Sequence, residues 1–144
     1  MPYPDHLTRP MREELTRIGF RELKTAADVD ATVNTSDGVV MLVVNSVCGC
    51  AAGRARPGIA DALNHPAKPA VLATVFAGAD EEATARARQY FAGYPPSSPS
   101  LALLKDGRLL YVMERKNIEI RSAEEIAAEL RAAFDKFCPS PVAQ

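Results

Sequence analysis

The sequence predicts an α/β protein with a mixed central sheet and helices on both faces of that sheet. Apolar, β-branched runs alternate along the chain with stretches of helical periodicity, which is the pattern of parallel strands joined by crossover helices. Asp106-Gly107 lies between two late strand patterns and favours a two-residue hairpin, which adds antiparallel strands. An amphipathic segment precedes the first strand pattern, so we expect an extra N-terminal helix.

The first half of the chain is expected to run helix, strand, helix, strand. The apolar face of the first helix repeats at i, i+4 and i+7 and consists of Met11, Leu15 and Ile18. A short extended piece over 20–24 leads into a helix over 26–34, which Thr25 caps. The turn Ser36-Asp37-Gly38 then precedes a strand over 39–45, whose almost wholly apolar sequence is typical of a central strand covered on both faces.

The second half is expected to run helix, strand, helix, strand, strand, helix. The small, Ala-rich composition from 48 to 63 predicts a helix, in which Pro57 imposes a kink or a break at Arg56. The later elements are a strand over 70–76, a helix capped by Asp80, strands over 101–104 and 108–113, and a final helix that opens with the capping box at Ser122. After the first helix the order is βαβαβαββα, which matches a thioredoxin-like domain. We therefore expect one thioredoxin-like domain over residues 1–144.

Composition and charge argue against several classes of protein. The 144 residues are 47% apolar and 24% charged, with a formal net charge of −1, so bulk electrostatics favour neither nucleic acid nor a membrane surface. No apolar stretch approaches the ~20 residues that cross a bilayer. The first residues, 1–6, lack the basic and apolar regions of a secretory signal. We therefore expect a cytoplasmic protein with no nucleic-acid or membrane partner.

The triplet Cys48-Gly49-Cys50 lies where a buried strand turns into a helix, and chemistry in open α/β sheets gathers at the carboxyl ends of strands. The start of a helix stabilises a thiolate and lowers the thiol pKa, so Cys48, which is nearer that start, is the expected nucleophile. Arg54 and Arg56 follow, with no carboxylate over 46–60. This local charge of +2 favours the thiolate and an anionic thiol partner, and both arginines are candidates for substrate contact.

Pro99, which precedes the strand over 101–104, is a candidate for the substrate-facing side of the site. Thioredoxin-like folds place a cis-proline at this position, facing the active site, and X-Pro bonds are the only ones for which the cis form is low in energy. The backbone of Ser98 would then be free to pair with an extended substrate segment. We therefore predict substrate contacts at Ser98 and Pro99.

Two alternatives to redox chemistry stay open from the residues alone. The two cysteines of the triplet can be structural, since free cysteine often packs as a small core side chain. They can also bind a metal, but a structural zinc site needs four ligands, and the other candidates are scattered without ligand spacing: His6, His65 and Cys138. We therefore expect no metal site. Cys138 follows an amphipathic helix and is either a thiol without catalytic duty or a third redox thiol.

Several blocks of the sequence resemble the bacilliredoxin family. The most specific is Val43-Val44-Asn45-Ser46-Val47-Cys48-Gly49-Cys50-Ala51-Ala52-Gly53, followed by Ala55-Arg56-Pro57. The others are Thr74-Val75-Phe76-Ala77-Gly78, Ser97-Ser98-Pro99-Ser100, Ala102-Leu103-Leu104-Lys105 and the terminal Phe134-Asp135-x-x-Cys138. The likeness covers roughly residues 5–138.

The resemblance implies a thioredoxin-like fold with a Cys-Gly-Cys active site. It also implies reduction of mixed disulfides between protein cysteines and bacillithiol, the low-molecular-weight thiol of certain bacteria, and disulfide isomerase activity is associated with the family. Carried onto this chain, Cys48 is the attacking thiolate and Cys50 the resolving one. The implied partners are S-thiolated proteins, the low-molecular-weight thiol and a regenerating thiol or reductase. Bacillithiol serves as a co-substrate, and no bound cofactor is expected.

Two other functions stay open beside the one that the resemblance implies. One is a general disulfide isomerase or reductase, which uses the same dithiol without a dedicated small thiol. The other belongs to a different class, a thiol-based metal-binding protein.

Overall fold

A five-stranded sheet organises the molecule in the computed structural model, which describes residues 3–34 and 38–138. The strands are β1 (Arg21–Glu22), β2 (Val40–Asn45), β3 (Val71–Phe76), β4 (Ser100–Lys105) and β5 (Arg108–Met113). The helices are α1 (Asp5–Thr16), α2 (Ala26–Asn34), α3 (Arg56–Ala62), α4 (Glu81–Tyr90), α5 (Arg115–Ile118) and α6 (Ala123–Phe137). A π-helical stretch, Ala51–Ala55, directly precedes α3.

The sheet is mixed, with the strand order β1-β3-β2-β4-β5. The first three of these strands are parallel, whereas β4 is antiparallel to β2 and β5 is antiparallel to β4. β2 therefore lies in the middle, and all of its residues are buried. This arrangement confirms the predicted α/β class, the thioredoxin-like order of elements and the extra N-terminal helix.

Two apolar clusters, one on each face of the sheet, hold the helices in place. Successive residues of a strand point to opposite faces, so Met41 and Val43 of β2 pack beneath α1, α3 and α6, while Leu42 and Val44 pack beneath α2 and α4. The burial of both faces explains why the sequence of β2 is continuously apolar instead of alternating.

The N-terminal helix is anchored through Arg12, which is only 8% exposed. Its guanidinium donates to Glu22 at 2.7 Å and to the two carboxylate oxygens of Asp80 at 2.6 and 3.2 Å, and it lies 5.0 Å from the centre of the Phe76 ring. Asp80 stands at the N-cap position of α4, but its side chain caps no N–H group. The predicted cap is therefore wrong in this respect, because the Asp80 carboxylate is engaged by Arg12.

The other two predicted caps form as expected. Thr25 Oγ1 accepts the Asp28 N–H at 3.0 Å at the start of α2. Ser122 Oγ accepts the Glu125 N–H at 3.1 Å at the start of α6, and the Glu125 carboxylate accepts the Ser122 N–H at 2.8 Å. Both arrangements satisfy N–H groups that a helix start otherwise leaves unpaired.

The helix predicted over 48–63 changes its hydrogen-bond register before Pro57. In the π-helical stretch the Arg56 N–H donates to the Ala51 carbonyl, and Pro57 then falls in the first turn of α3. Proline has no N–H, and its ring clashes with the carbonyl four residues earlier in a regular helix. The π-helical stretch just before Pro57 has wider turns, with an i→i+5 hydrogen bond, and this change of spacing removes the clash of the proline ring with the carbonyl. The sequence predicts a kink or a break at this point, and the structure instead has a change of helix type at Arg56 with no interruption of the helical backbone.

The hairpin between β4 and β5 also follows the prediction. Asp106 and Gly107 have φ angles of 51° and 77°, as a type I′ turn requires. The four-residue helix α5, which follows β5, has no counterpart in the sequence-based expectations. Of the turn predicted at Ser36-Asp37-Gly38, Ser36 and Asp37 lie outside the described residues.

Over 3–34 and 38–138, no helix is both long enough and apolar enough to cross a lipid bilayer.

Candidate active site

The candidate site lies at the edge of the sheet where β2 ends and β4 begins. In the antiparallel pairing of these strands Val44 lies opposite Ser100. Continuing this register by two residues places Pro99 beside Asn45, the last residue of β2, and Ser98 beside Ser46. The loop from β2 into the π-helical stretch, which carries Cys48 and Cys50, therefore faces the loop before β4.

Two polar side chains at the end of β2 shape the turn that carries the first cysteine. Asn45 is buried, and its Oδ1 accepts the Ser46 N–H at 2.9 Å. The Ser46 hydroxyl oxygen in turn accepts the Cys48 N–H at 3.0 Å. The Cys48 carbonyl accepts the N–H groups of Ala51 and Ala52 at 3.0 and 3.2 Å, so the helical hydrogen bonds begin at this cysteine. Asn45 and Ser46 thus position Cys48 where a helix begins.

The two thiols are free and half-buried, but their surroundings differ. The Cys50 N–H donates to Cys48 Sγ at 3.3 Å. Burial by itself raises the pKa of Cys48, but hydrogen bonds from the Cys50 N–H and thiol, together with the charge of Arg115, outweigh it and hold this pKa below its ordinary value. Burial raises the pKa of Cys50, and its hydrogen bond and charge interaction with Cys48 raise it further.

Gly49, between the two thiols, is exposed and leaves open space around it. A Cβ atom at this position would meet no other atom within 4 Å. The approach to the two sulfurs is therefore not covered from this side.

The Ser98–Pro99 peptide bond is cis, as the sequence predicts. Pro99 is buried and Ser98 half-buried, and the Ser98 carbonyl accepts a long hydrogen bond of 3.4 Å from Arg115 Nη1. Within the described part of the chain, the Ser98 N–H has no hydrogen-bond partner. Contact of these two residues with a substrate stays a prediction.

Arg56 does not face the site as expected. It is 3% exposed, and its guanidinium donates to Asn45 Oδ1, to the Ser46 carbonyl and to Glu14, each at 3.0 Å. These contacts hold Nε and Nη1 inside the protein, so the burial of the side chain argues against the predicted substrate contact of Arg56, which stays a prediction. Its place in the structure is that of a positioning residue, which holds the turn before Cys48.

Arg54 also has an internal partner. Its Nη1 donates to the Arg121 carbonyl at 2.6 Å, just before α6 begins. Neither Arg54 nor Arg56 is among the leading causes of the pKa shifts of Cys48 and Cys50. Contact of Arg54 with a substrate stays a prediction, and hydrogen bonds from Cys50, not the local charge of +2, are the main cause of the lowered Cys48 pKa.

The cation with the largest effect on both thiols among the described residues is Arg115, which sequence reasoning missed. In the pairing of β4 with β5, Leu101 lies opposite Met113, so the same register places Arg115 next to Pro99. The predicted topology could have indicated that Arg115 lies near the cysteines. The second strand of a hairpin runs parallel to β2 when the first is antiparallel to it, so the residues just after β5 arrive at the same edge as those just after β2.

The other thiol and the two histidines do not join the site. Cys138 is buried in the core cluster beneath α1, α3 and α6, and burial raises the pKa of its thiol to about 11. His65 contacts Asp135 at 2.7 Å, near the end of α6 that lies away from Arg121. His6 is exposed on α1. Over 3–34 and 38–138, no three His, Cys, Asp or Glu side chains cluster in a way that could hold a metal ion.

Comparison with known protein sequences places this chain beside a group of close relatives. A family model described as disulphide isomerase matches residues 3–138. A bacilliredoxin of Koribacter versatilis is 57% identical over 136 residues, which cover 94% of this chain and 94% of the relative. A bacilliredoxin of Geobacillus kaustophilus is 51% identical over 142 residues, which cover 96% of this chain and 98% of the relative.

Comparison with solved structures supports the fold. The thioredoxin of Fasciola hepatica matches with a TM-score of 0.55 at 20% identity, over 82% of this chain and 99% of that one. Oxidised thioredoxin of Plasmodium falciparum matches with a TM-score of 0.57 at 14% identity, over 82% of this chain and 97% of that one. At this level of identity, the likeness concerns the fold alone.

Proposed function

Because this chain belongs to the bacilliredoxin family, we propose that it removes bacillithiol from S-bacillithiolated proteins by thiol–disulfide exchange at Cys48 and Cys50. The family and the thioredoxin-like fold make the chain a thiol–disulfide oxidoreductase. The proposal adds the site, the small thiol and the direction of the reaction. The assignment of the two thiols rests on the hydrogen bond from the Cys50 N–H to Cys48 Sγ and on the pKa shifts, lowered at Cys48 and raised at Cys50, whereas the small thiol is proposed from the family.

In the first step the Cys48 thiolate attacks the bacillithiol sulfur of a mixed disulfide. The bond between that sulfur and the target protein breaks, and the target cysteine leaves as a thiolate and takes up a proton. Only a thiolate attacks at a useful rate, so the lowered pKa of Cys48 supports this order of events. The product is a disulfide between Cys48 and bacillithiol.

In the second step Cys50 loses its proton and attacks the Cys48 sulfur. Bacillithiol leaves as a thiolate, and a Cys48–Cys50 disulfide remains. The target disulfide has then gained two electrons and two protons, and the dithiol has lost them. A regenerating thiol or reductase must return the electrons, so bacillithiol is a co-substrate and the chemistry calls for no bound redox cofactor.

The cis-proline loop is the proposed contact for the target protein. The Ser98 N–H is unpaired within the described residues and lies on the loop that faces the Cys48 turn, so an extended segment of the target can accept its hydrogen bond. Burial of Pro99 holds this loop against the sheet. In this arrangement the mixed disulfide enters between the loop and Cys48.

Cysteine variants test the assignment of the two steps. We expect Cys48→Ser to abolish turnover of a bacillithiolated protein, and Cys50→Ser to accumulate one bacillithiol per molecule on Cys48, seen by intact mass spectrometry. Cys138→Ala is the matched control, because it removes a thiol that lies in the core, and we expect its turnover to equal that of the wild type. Full turnover by Cys48→Ser would contradict the mechanism.

The identity of the small thiol is tested separately. Cys50→Ser is mixed with equal amounts of the bacillithiolated and the glutathionylated form of one target protein. We expect the bacillithiol adduct to form faster. If the glutathione adduct forms first, the assignment of the thiol is wrong, although the exchange mechanism stands.

General disulfide isomerase activity is the second candidate, and the description of the matching family model favours it. Its test is recovery of activity by a scrambled disulfide-bonded enzyme in the absence of any small thiol. Isomerisation needs Cys48 but not Cys50, so Cys50→Ser would keep it while losing net reduction. Metal binding, the candidate of another class, instead requires stoichiometric zinc or copper in protein purified under reducing conditions.

A further inference from the structure

We propose that Arg115 determines the specificity of the site by binding a carboxylate of the small thiol while that thiol is disulfide-bonded to Cys48. The inference rests on the proposed exchange at Cys48 and names its substrate class, the acidic low-molecular-weight thiols. It assigns to Arg115 the role that the sequence suggested for Arg54 and Arg56.

The position of Arg115 follows from the sheet and not from a flexible loop. The residue is the first of α5, two positions after the end of β5, and its N–H donates to Ser97 Oγ at 3.3 Å, so its backbone is held against the cis-proline loop. Its side chain turns over the same loop, where Nη1 donates to the Ser98 carbonyl at 3.4 Å. The guanidinium thus lies beside the loop that faces Cys48. Its charge lowers the pKa of Cys48 and also acts to lower that of Cys50, which agrees with this placement.

The guanidinium of Arg115 also has donors to spare. Its side chain is 45% exposed, and its other contact is a 3.5 Å pair between Nε and Glu119. Both of its side-chain contacts are long, at 3.4 and 3.5 Å. A guanidinium has five N–H donors in a planar fork that suits a carboxylate, so Arg115 can bind one without breaking any buried contact.

Glu119 competes for the same guanidinium. It lies one helical turn beyond Arg115, is 46% exposed, and acts to raise the pKa of Cys50, which places its charge near the dithiol as well. A thiol that carries a carboxylate can replace Glu119 on Arg115, whereas a neutral or cationic thiol cannot. Arg115 therefore provides the preference for acidic thiols, and Glu119 weakens this preference because it competes with their carboxylate for the guanidinium.

The test uses one peptide with a single cysteine, prepared as mixed disulfides with three small thiols of different charge. Mercaptosuccinate is the dianionic probe, 2-mercaptoethanol the neutral one and cysteamine the cationic one. For the wild type we expect kcat/KM to fall in that order. The quantity compared between variants is the ratio of kcat/KM for the dianionic and the neutral disulfide, because this ratio cancels any change in the reactivity of Cys48.

We expect Arg115→Gln to lower this ratio about tenfold, the size expected for one charge-assisted hydrogen bond. Arg115→Lys should give an intermediate ratio, because it keeps the charge but loses the fork. Glu119→Gln should raise the ratio by releasing Arg115. Lys116→Gln is the matched control, since it removes the same charge one residue further along from a side chain that is 75% exposed, and its ratio should equal that of the wild type.

An unchanged ratio in Arg115→Gln, or an equal loss in Lys116→Gln, overturns the role of Arg115 and leaves the exchange mechanism intact. A wild type that reduces none of the three disulfides, or a Cys48→Ser variant that reduces them all, overturns the proposed function and this inference with it.

Discussion

At the scale of single residues, the two thiols of the triplet differ in how readily they lose a proton, since the pKa of Cys48 is lowered and that of Cys50 is raised. Cys48 receives hydrogen bonds from the N–H and the thiol of Cys50, so negative charge is stabilised on Cys48 while Cys50 keeps its proton. This division suits two consecutive attacks, because Cys48 must attack first and Cys50 must attack only after the disulfide on Cys48 has formed.

The pH dependence of Cys48 alkylation tests this division. The rate follows the fraction of thiolate, so it should rise with pH around a midpoint below that of an ordinary thiol. Cys50→Ala removes the thiol donor and should move the midpoint upward, and Arg115→Gln should do the same by removing a positive charge. The measurement is the rate of iodoacetamide labelling at Cys48, followed by mass spectrometry, with Lys116→Gln as the control. If the midpoint stays the same in both variants, neither the Cys50 thiol nor the Arg115 charge lowers the pKa of Cys48.

The cysteines and the cis-proline could be predicted because their chemistry is local to the sequence. The arginines could not, because nearness along the chain does not tell which way a side chain points. Arg56 follows the dithiol closely but turns inward to Asn45 and Glu14, whereas Arg115 is far away in sequence and reaches the site through strand register. Assigning charge to the site therefore requires the topology.

At the scale of elements, Arg56 joins three parts of the fold at the dithiol turn. It begins α3, and its guanidinium contacts α1 through Glu14 and the end of β2 through Asn45 and Ser46. The Asn45 amide also donates to the Met11 carbonyl of α1 at 3.2 Å. The turn that positions Cys48 is thus held by contacts from both α1 and α3.

We expect Arg56→Ala to lower the free energy of unfolding by about 3 kcal/mol, because it leaves the buried Ser46 carbonyl unpaired and removes a buried side chain. Glu14→Gln is the matched comparison and should cost less than about 1 kcal/mol, since Glu14 is partly exposed. Urea denaturation measures both. An equal loss in the two variants would show that Arg56 contributes only its exposed ion pair.

The sequence predicts the strands and most helices because their hydrophobic periods are long and bounded by caps or turns. It does not predict α5, whose four residues are too few to show a period. Nor does it distinguish a kink from a change in the helical hydrogen-bond pattern before Pro57, because the proline interrupts a regular α-helix at the same place in both cases. The contacts of Arg56 with β2 and α1 lie outside any local pattern.

At the scale of the whole molecule, the N-terminal helix closes over the carboxyl ends of the parallel strands. Arg12 connects α1 to the end of β1 through Glu22 and to the start of α4 through Asp80. Its stacking on Phe76, the last residue of β3, adds a contact with the sheet itself. The Arg12 guanidinium therefore connects α1, β1, β3 and α4, which are far apart in the sequence.

Asp80→Asn tests how far this connection stabilises the fold. We expect a loss of about 2 kcal/mol in the free energy of unfolding, because the ion pair with the buried Arg12 is replaced by a weaker hydrogen bond from its guanidinium to a neutral amide oxygen. Asp5→Asn breaks an exposed pair with Arg9 on the same helix and should cause no measurable loss. Denaturation by urea, followed by circular dichroism, compares the two. Equal stability of both variants would mean that the pair of Arg12 with Asp80 does not hold α1 in place.

The contacts that hold Asn45 have a consequence for protein engineering. A designer who grafts residues 45–57 onto another α/β scaffold would transfer both sulfurs, the π-helical stretch and Arg56. The graft would lack the Met11 carbonyl and the Glu14 carboxylate, because both belong to α1. On a scaffold with no helix in that place, Arg56 would bury a charge without its carboxylate. The transplantable unit is therefore discontinuous, and α1 must travel with the motif.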